Sequence, residues 1–265
     1  MANNPMFNEA AFERAKQEQT RPAPQEENLR AEGFTPRYRA AAGSQAMTLQ
    51  GTINKTFALL ALCVAGGYIG WVKAATLSPL VFIGAFIGAF VLAIWTCFKP
   101  AVSPVTAPVY AVAEGILLGL ISAQYNAQYQ GIVLNAVLVT VLVFGVMLLM
   151  YRTGILKVTQ GLVTAIISAT FAIAIMYVGS WIFSLFGGNI SYLVSSSPLS
   201  IGISVVICVV AALNLLIDFQ FISVMSARGD APKFMEWYGG FGLLVTIVWL
   251  YIEILKLLGK LNNRR

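Results

Sequence analysis

Polar, proline-bearing sequence gives way near residue 47 to a series of apolar stretches that continues almost to the C-terminus. The stretches cover 53–71, 77–98, 107–123, 131–151, 161–186, 199–222 and 238–259. Each holds about 17–26 residues, enough to cross ~30 Å of hydrocarbon as a helix rising 1.5 Å per residue. A bilayer admits only helices or closed barrels, and these runs do not alternate as barrel strands do. The pattern therefore predicts an all-α polytopic membrane protein with seven transmembrane helices joined by short connections. Two parts follow: a polar tail over 1–46 and a transmembrane domain over 47–265. Small residues spaced by four, Gly66/Gly70, Gly84/Gly88 and Gly115/Gly119, let helices approach closely and predict a tight bundle.

The tail carries Pro5, Pro22, Pro24 and Pro36 and few aliphatic residues. Phe7, Ala11 and Phe12 allow a short surface helix within 5–18, and composition predicts disorder for most of the rest. A secretory signal is excluded, since no short apolar core follows a basic start. Composition sharpens the picture. The chain is 58% apolar and 11% charged, whereas a soluble domain is about 25% charged, so an ordinary water-soluble enzyme is excluded. The formal charge of +6 is spread singly between apolar runs, not gathered into the basic patch of a nucleic-acid binder. There is no histidine, which removes imidazole acids, zinc sites and His switches. Cys63, Cys97 and Cys208 lie inside apolar runs and imply no disulfide framework. No cofactor is implied.

Loop charges set an orientation. Arg37, Arg39, Lys55, Lys99, Arg152, Lys157, Arg228 and Lys233 fall at one set of span ends, against Lys73 at the other. By the positive-inside rule the N-terminus is cytoplasmic. Seven crossings then leave Lys260, Arg264 and Arg265 outside, so the last helix either crosses fully or re-enters. Trp71, Trp95, Trp181 and Trp237 lie near span ends, as interfacial anchors do.

The candidate chemistry is carboxylic. Glu114, Asp218 and Glu253 lie inside spans, where an acid costs roughly 2.5–3.5 kcal/mol and needs a partner or a wet cavity. Glu253 and Lys256 are three apart and can pair on one helix face, as a surface-leaning pair in the bland case. Glu114, about seven residues into the third span, and Asp218, a few residues before the end of the sixth, come to similar depth on the same side. Two carboxyls close together in low dielectric do not both ionise, so such a pair would respond to pH. Asn214, one turn from Asp218, is placed to share its hydrogen bonds. The plainer readings are a membrane-edge Asp218 and a protonated packing residue at Glu114. Glu236, before the last span, suits a helix start. No nucleophile elbow, phosphate loop or metalloprotease motif is present, and an intramembrane enzyme would lack its catalytic set.

Several segments carry a resemblance. They are Lys99-Pro100-Ala101-Val102-Ser103-Pro104, Tyr110-Ala111-Val112-Ala113-Glu114-Gly115, Ala212-Leu213-Asn214-Leu215-Leu216-Ile217-Asp218-Phe219, Met235-Glu236-Trp237-Tyr238 and Leu250-Tyr251-Ile252-Glu253. In this order and spacing, over about 47–260, they resemble the bacterial branch of the Bax inhibitor-1-like membrane proteins. The resemblance implies a seven-helix bundle wrapped about a central last helix, in a bacterial inner membrane. It also implies an aspartate pair, one on the sixth and one on the seventh helix, that gates a pH-sensitive calcium leak. Asp218 matches the first. The second falls on Glu253 if the Leu-Tyr-x-acid motif sets the register, or on Thr246 if the Leu/Lys/Gly ending does. Glu114 is the candidate to supply a carboxylate in the second case. The competing expectation is a non-conducting regulator that binds a membrane protease, its motive the polar tail. The partners implied are the lipid bilayer, calcium or protons, and in the second reading that protease.

Overall fold

The computed structural model describes residues 46–76, 79–186 and 195–264. The tail expectations, a short helix within 5–18 and disorder around it, lie outside the described residues. The described residues belong to one compact unit. Among them the architecture is all-helical: α1 Leu49–Lys73, α2 Pro79–Phe98, a 3-10 turn Pro100–Val102, α3 Ser103–Gln128, α4 Ile132–Arg152, α5 Gln160–Leu185, α6 Pro198–Arg228 and α7 Met235–Asn262. Six of these are long and apolar enough to cross a membrane; in α2 the corresponding apolar stretch is the shorter Phe82–Phe98. The chain is a multi-pass membrane protein.

Helix starts follow local chemistry. Thr48 caps α1 by accepting from the Gly51 amide at 3.0 Å, Thr159 caps α5 through Leu162, and Ser197 caps α6 with Pro198 in the first turn. Each side-chain oxygen satisfies an amide that the helix leaves orphaned. Gly229, at φ 71°, ends α6 in the left-handed conformation that costs glycine least. The apolar pattern placed the end of the sixth span at 222, and the helix in fact runs six residues further, to Arg228.

α7 packs along α1, α3, α4 and α6, and half of its most apolar window is buried, against 6% for α5. Two apolar clusters flank it. Leu215, Leu216, Leu250 and Leu255 join α6 to α7, and Leu59, Ala107, Ala111, Phe241 and Leu244 join α1 and α3 to the other side. Tyr110 meets Phe241 edge-on with centroids 5.1 Å apart. The close approach expected from small residues occurs between α1 and α3. A Cβ at Gly115 would strike the Cys63 carbonyl, one at Gly119 the Gly67 carbonyl, and one at Gly70 the Ile116 carbonyl. Backbone meets backbone there, as packing without a hydrophobic driving force requires. Gly84 and Gly88 on α2 differ, since among the described residues nothing lies within 4 Å of a Cβ at either.

The two ends of the bundle are fixed by named contacts. At one, the Met47 amide donates to the Ala231 carbonyl at 2.7 Å and Ser103 donates to the Phe234 carbonyl at 3.1 Å. At the other, Asn263 donates to Ser196 at 2.9 Å. The last helix thus runs the full length of the bundle, and its C-terminus lies at the end opposite the α6–α7 turn.

Candidate functional site

The acids of the apolar helices fall into three surroundings, two of them on α7. In the first, Asp218 of α6 faces α7. It lies ten residues short of Arg228, about 15 Å from the helix end at 1.5 Å per residue. The Thr246 hydroxyl hydrogen-bonds its carboxylate. A Cβ added to Gly242, one turn before Thr246, would sit 3.5 Å from Oδ1. Oδ2 is buried and meets no hydrogen-bond partner among the described residues. A carboxylate with one hydroxyl donor and an unmatched oxygen is under-compensated for its burial.

The second centre is Glu253, 2% exposed. Seven residues beyond Thr246, it lies about 10 Å further along α7. Its oxygens are both engaged: Lys256 donates to Oε1 at 3.0 Å, and the Tyr177 hydroxyl of α5 donates to Oε2 at 2.9 Å. The Lys256 ammonium also stands 4.6 Å from the Tyr177 ring centroid, a cation–π contact. The Glu253–Lys256 pair read from their spacing is present, but it is buried rather than surface-leaning, because Tyr177 closes over it. Lys256 keeps 37% of its side chain exposed while Glu253 is sealed, which is the snorkelling expected of a long cationic side chain.

Glu114 occupies the third surrounding, on the α1–α3 side. Its electrostatic neighbours are Cys63 of α1 and Tyr110 of its own helix. α3 reaches back to Ser103, so Glu114 lies eleven residues in, about 16 Å. Glu114 is turned to the α1 side and Asp218 to α7, and among the described residues no hydrogen bond or ion pair joins them. Asn214 also turns elsewhere. Its amide donates to Thr170 of α5 and to the Val210 carbonyl, both at 2.8 Å, so it ties α5 to α6 instead of sharing Asp218's bonds.

Glu236, 1% exposed, does more than begin a helix. Its Oε1 accepts from the Thr48 amide at 3.0 Å and the Thr48 hydroxyl at 2.8 Å, and Lys233 pairs with it at 2.9 Å. It fastens the start of α1 to the start of α7. Nearby, Lys55 lies 4.7 Å over the Trp237 ring.

Three partners escaped the sequence reading. Tyr177 sits in a run of apolar residues with no sign of a distant acid. Ser122 and Tyr251, with oxygens 2.6 Å apart, join α3 to α7. Thr246 was legible only as the non-acidic register of the seventh-helix match, and that is the position that meets Asp218. Among the described residues no group of three or more His, Cys, Asp or Glu side chains could hold a metal ion.

A model of the family described as Bax inhibitor 1 like matches residues 4–263 of the chain. Comparison with curated proteins gave no match.

Proposed function

The chain belongs to the Bax inhibitor 1 like family, and from that premise we propose that it is a pH-sensitive cation leak, permeable to calcium, of a bacterial inner membrane. The observation that carries the reading is Asp218, a carboxylate buried between α6 and α7 with one oxygen unmatched. Such a group is at rest only when a proton or a passing cation supplies the missing positive charge. Thr246 suits both forms. A hydroxyl donates to the carboxylate and can accept from the carboxylic acid, so the α6–α7 contact persists while its charge changes. Gly242 adds no side chain of its own beside Oδ1, where a Cβ would stand 3.5 Å away. Calcium is cargo in this reading, not a resident cofactor.

The membrane arrangement belongs to the same proposal. α1 to α7 each cross once, with α7 innermost among the others, and the end holding Lys55, Lys99, Arg152, Lys157, Arg228 and Lys233 faces the cytoplasm. The N-terminus is cytoplasmic and the C-terminus outside. Relative to an aspartate pair, the switch is simplified to one carboxylate and one hydroxyl.

Purified protein in calcium-loaded liposomes tests it. Calcium efflux should depend on pH, and Asp218→Asn should conduct with no pH dependence while remaining folded. An unchanged pH profile in Asp218→Asn removes Asp218 as the switch. Absence of flux at every pH, with a membrane protease retained through purification, would favour the non-conducting regulator.

A further inference from the structure

At the end of the bundle away from the α6–α7 turn, a cavity of about 370 Å³ opens between the C-terminal turns of α3 and α7 and the start of α6. Its wall is rich in donors: Lys256, Lys260, Gln124, Gln128, Asn263 and Ser196 all line it. Acid is scarce there. Glu253, beside this wall, is saturated by Lys256 and Tyr177. Lys260 is left with a neutral partner, donating to Ser204 at 2.7 Å. An ammonium carries three donors, and a half-buried one resting on a serine is short of negative charge. One turn before Ser204 on the same face of α6, the Ser200 hydroxyl is buried and meets no hydrogen-bond partner among the described residues. A lysine in the last turn of a helix also answers the helix dipole. That role is served by a solvated head, whereas Lys260 is drawn against α6.

We propose that this cavity binds a phosphate-type anion, with Lys260 and Lys256 supplying charge and Asn263 with the neighbouring amides supplying directed donors. A cation is disfavoured, since the two ammonium groups face one already paired carboxylate. Charge-assisted bonds to a phosphate oxygen are the strong, short kind, and lysine serves as a point charge for such groups. The cavity lies at the C-terminal turns of two apolar helices, so the anion is either the phosphate of an acidic lipid or free phosphate. The inference stands apart from the leak reading and does not depend on conduction.

Thermal unfolding of the full chain in nanodiscs decides it. One arm titrates inorganic phosphate against chloride at fixed ionic strength in phosphatidylcholine discs. The other compares phosphatidylglycerol with phosphatidylcholine discs without phosphate. A rise in the unfolding midpoint in the first arm assigns free phosphate, and a rise in the second alone assigns the lipid headgroup. Lys260→Gln should weaken the response about tenfold, as loss of one charge-assisted bond requires. Should that variant fail to fold, Asn263→Leu is read in its place, with a smaller loss. No rise in either arm, or an undiminished response in the variant that folds, overturns the proposal.

Discussion

Glu253 and Asp218 are both carboxylates buried against α7, about two helical turns apart, and they are treated oppositely. Glu253 has a donor on each oxygen and an ammonium beside it. Asp218 has one hydroxyl and an oxygen that nothing meets. A saturated buried carboxylate holds its charge in one geometry, and breaking its set is costly. An under-matched one is poised, because its preferred state changes with a proton or a cation. In the proposed reading Glu253, where α5 is tied to α7, is a structural latch and Asp218 is the switch.

The latch has little help. α5 buries few residues, so Tyr177–Glu253 and Thr170–Asn214 are the named polar ties from this helix to its neighbours. Glu253→Ala should therefore give the largest stability loss of the acid variants, about 2 kcal/mol for two charge-assisted bonds, discounted because Lys256 is partly solvated. Unfolding of the detergent-solubilised protein measures it. Tyr177→Phe should lose about half as much. If Glu253→Ala unfolds like the parent and flux loses its pH dependence instead, the two centres have been assigned the wrong way round.

Thr246 tests the switch from the other side of the contact. Thr246→Val removes the hydroxyl and leaves Asp218 without that donor, at a cost of about 1–2 kcal/mol. It should also move the flux midpoint, since the charged form loses its one stabilising bond. Thr246→Asp puts a second carboxyl against the first. Two such groups cannot both ionise cheaply, so they should lose their protons in two separated steps and the pH profile should broaden or split. A profile unmoved by either variant separates Thr246 from gating.

Asp218→Asn should change stability least among the α7-facing variants. It removes a buried charge with one unmatched oxygen, so the unfolding midpoint holds or rises by an amount worth about 1 kcal/mol while pH dependence disappears. A fall as large as that of Glu253→Ala would show that Asp218 is paired in the state that populates.

These contrasts also mark how far the sequence could be read. Six of the seven apolar runs became helices long enough to span, because a run of this length has few other folds, and a close helix approach was legible in Gly66, Gly70, Gly115 and Gly119, though not which helices would meet. The same spacing misled at Gly84 and Gly88, since small residues permit an approach without requiring one. Depth was legible to within a turn or two, because rise per residue is fixed. Facing was not. A run that is apolar all round carries a weak signal for which side meets which neighbour, so Glu114 was paired with Asp218 by depth alone and Tyr177 passed unnoticed. Two registers remained for the seventh helix, and packing against Asp218 favours the one that ends on Thr246.

Glu114 carries the smallest effect and the sharpest test of facing. Equal depth suggested that Glu114→Gln would shift the midpoint of Asp218 through like-charge coupling. The structure sets Glu114 beside Cys63 and Tyr110 on the α1–α3 side, with α7 and its apolar cluster of Leu59, Phe241 and Leu244 on that side too. Coupling across a bundle falls with distance, and the charge neighbours of Glu114 lie on the α1 side. Glu114→Gln should leave the flux midpoint within about 0.2 pH units of the parent, a coupling below roughly 0.3 kcal/mol. Stability should hold or rise slightly, because a neutral amide replaces a partly buried carboxyl. A shift of a full unit in the liposome assay would mean that α3 turns this face toward α6 in the conducting state, and Glu114 would then join Asp218 in the switch.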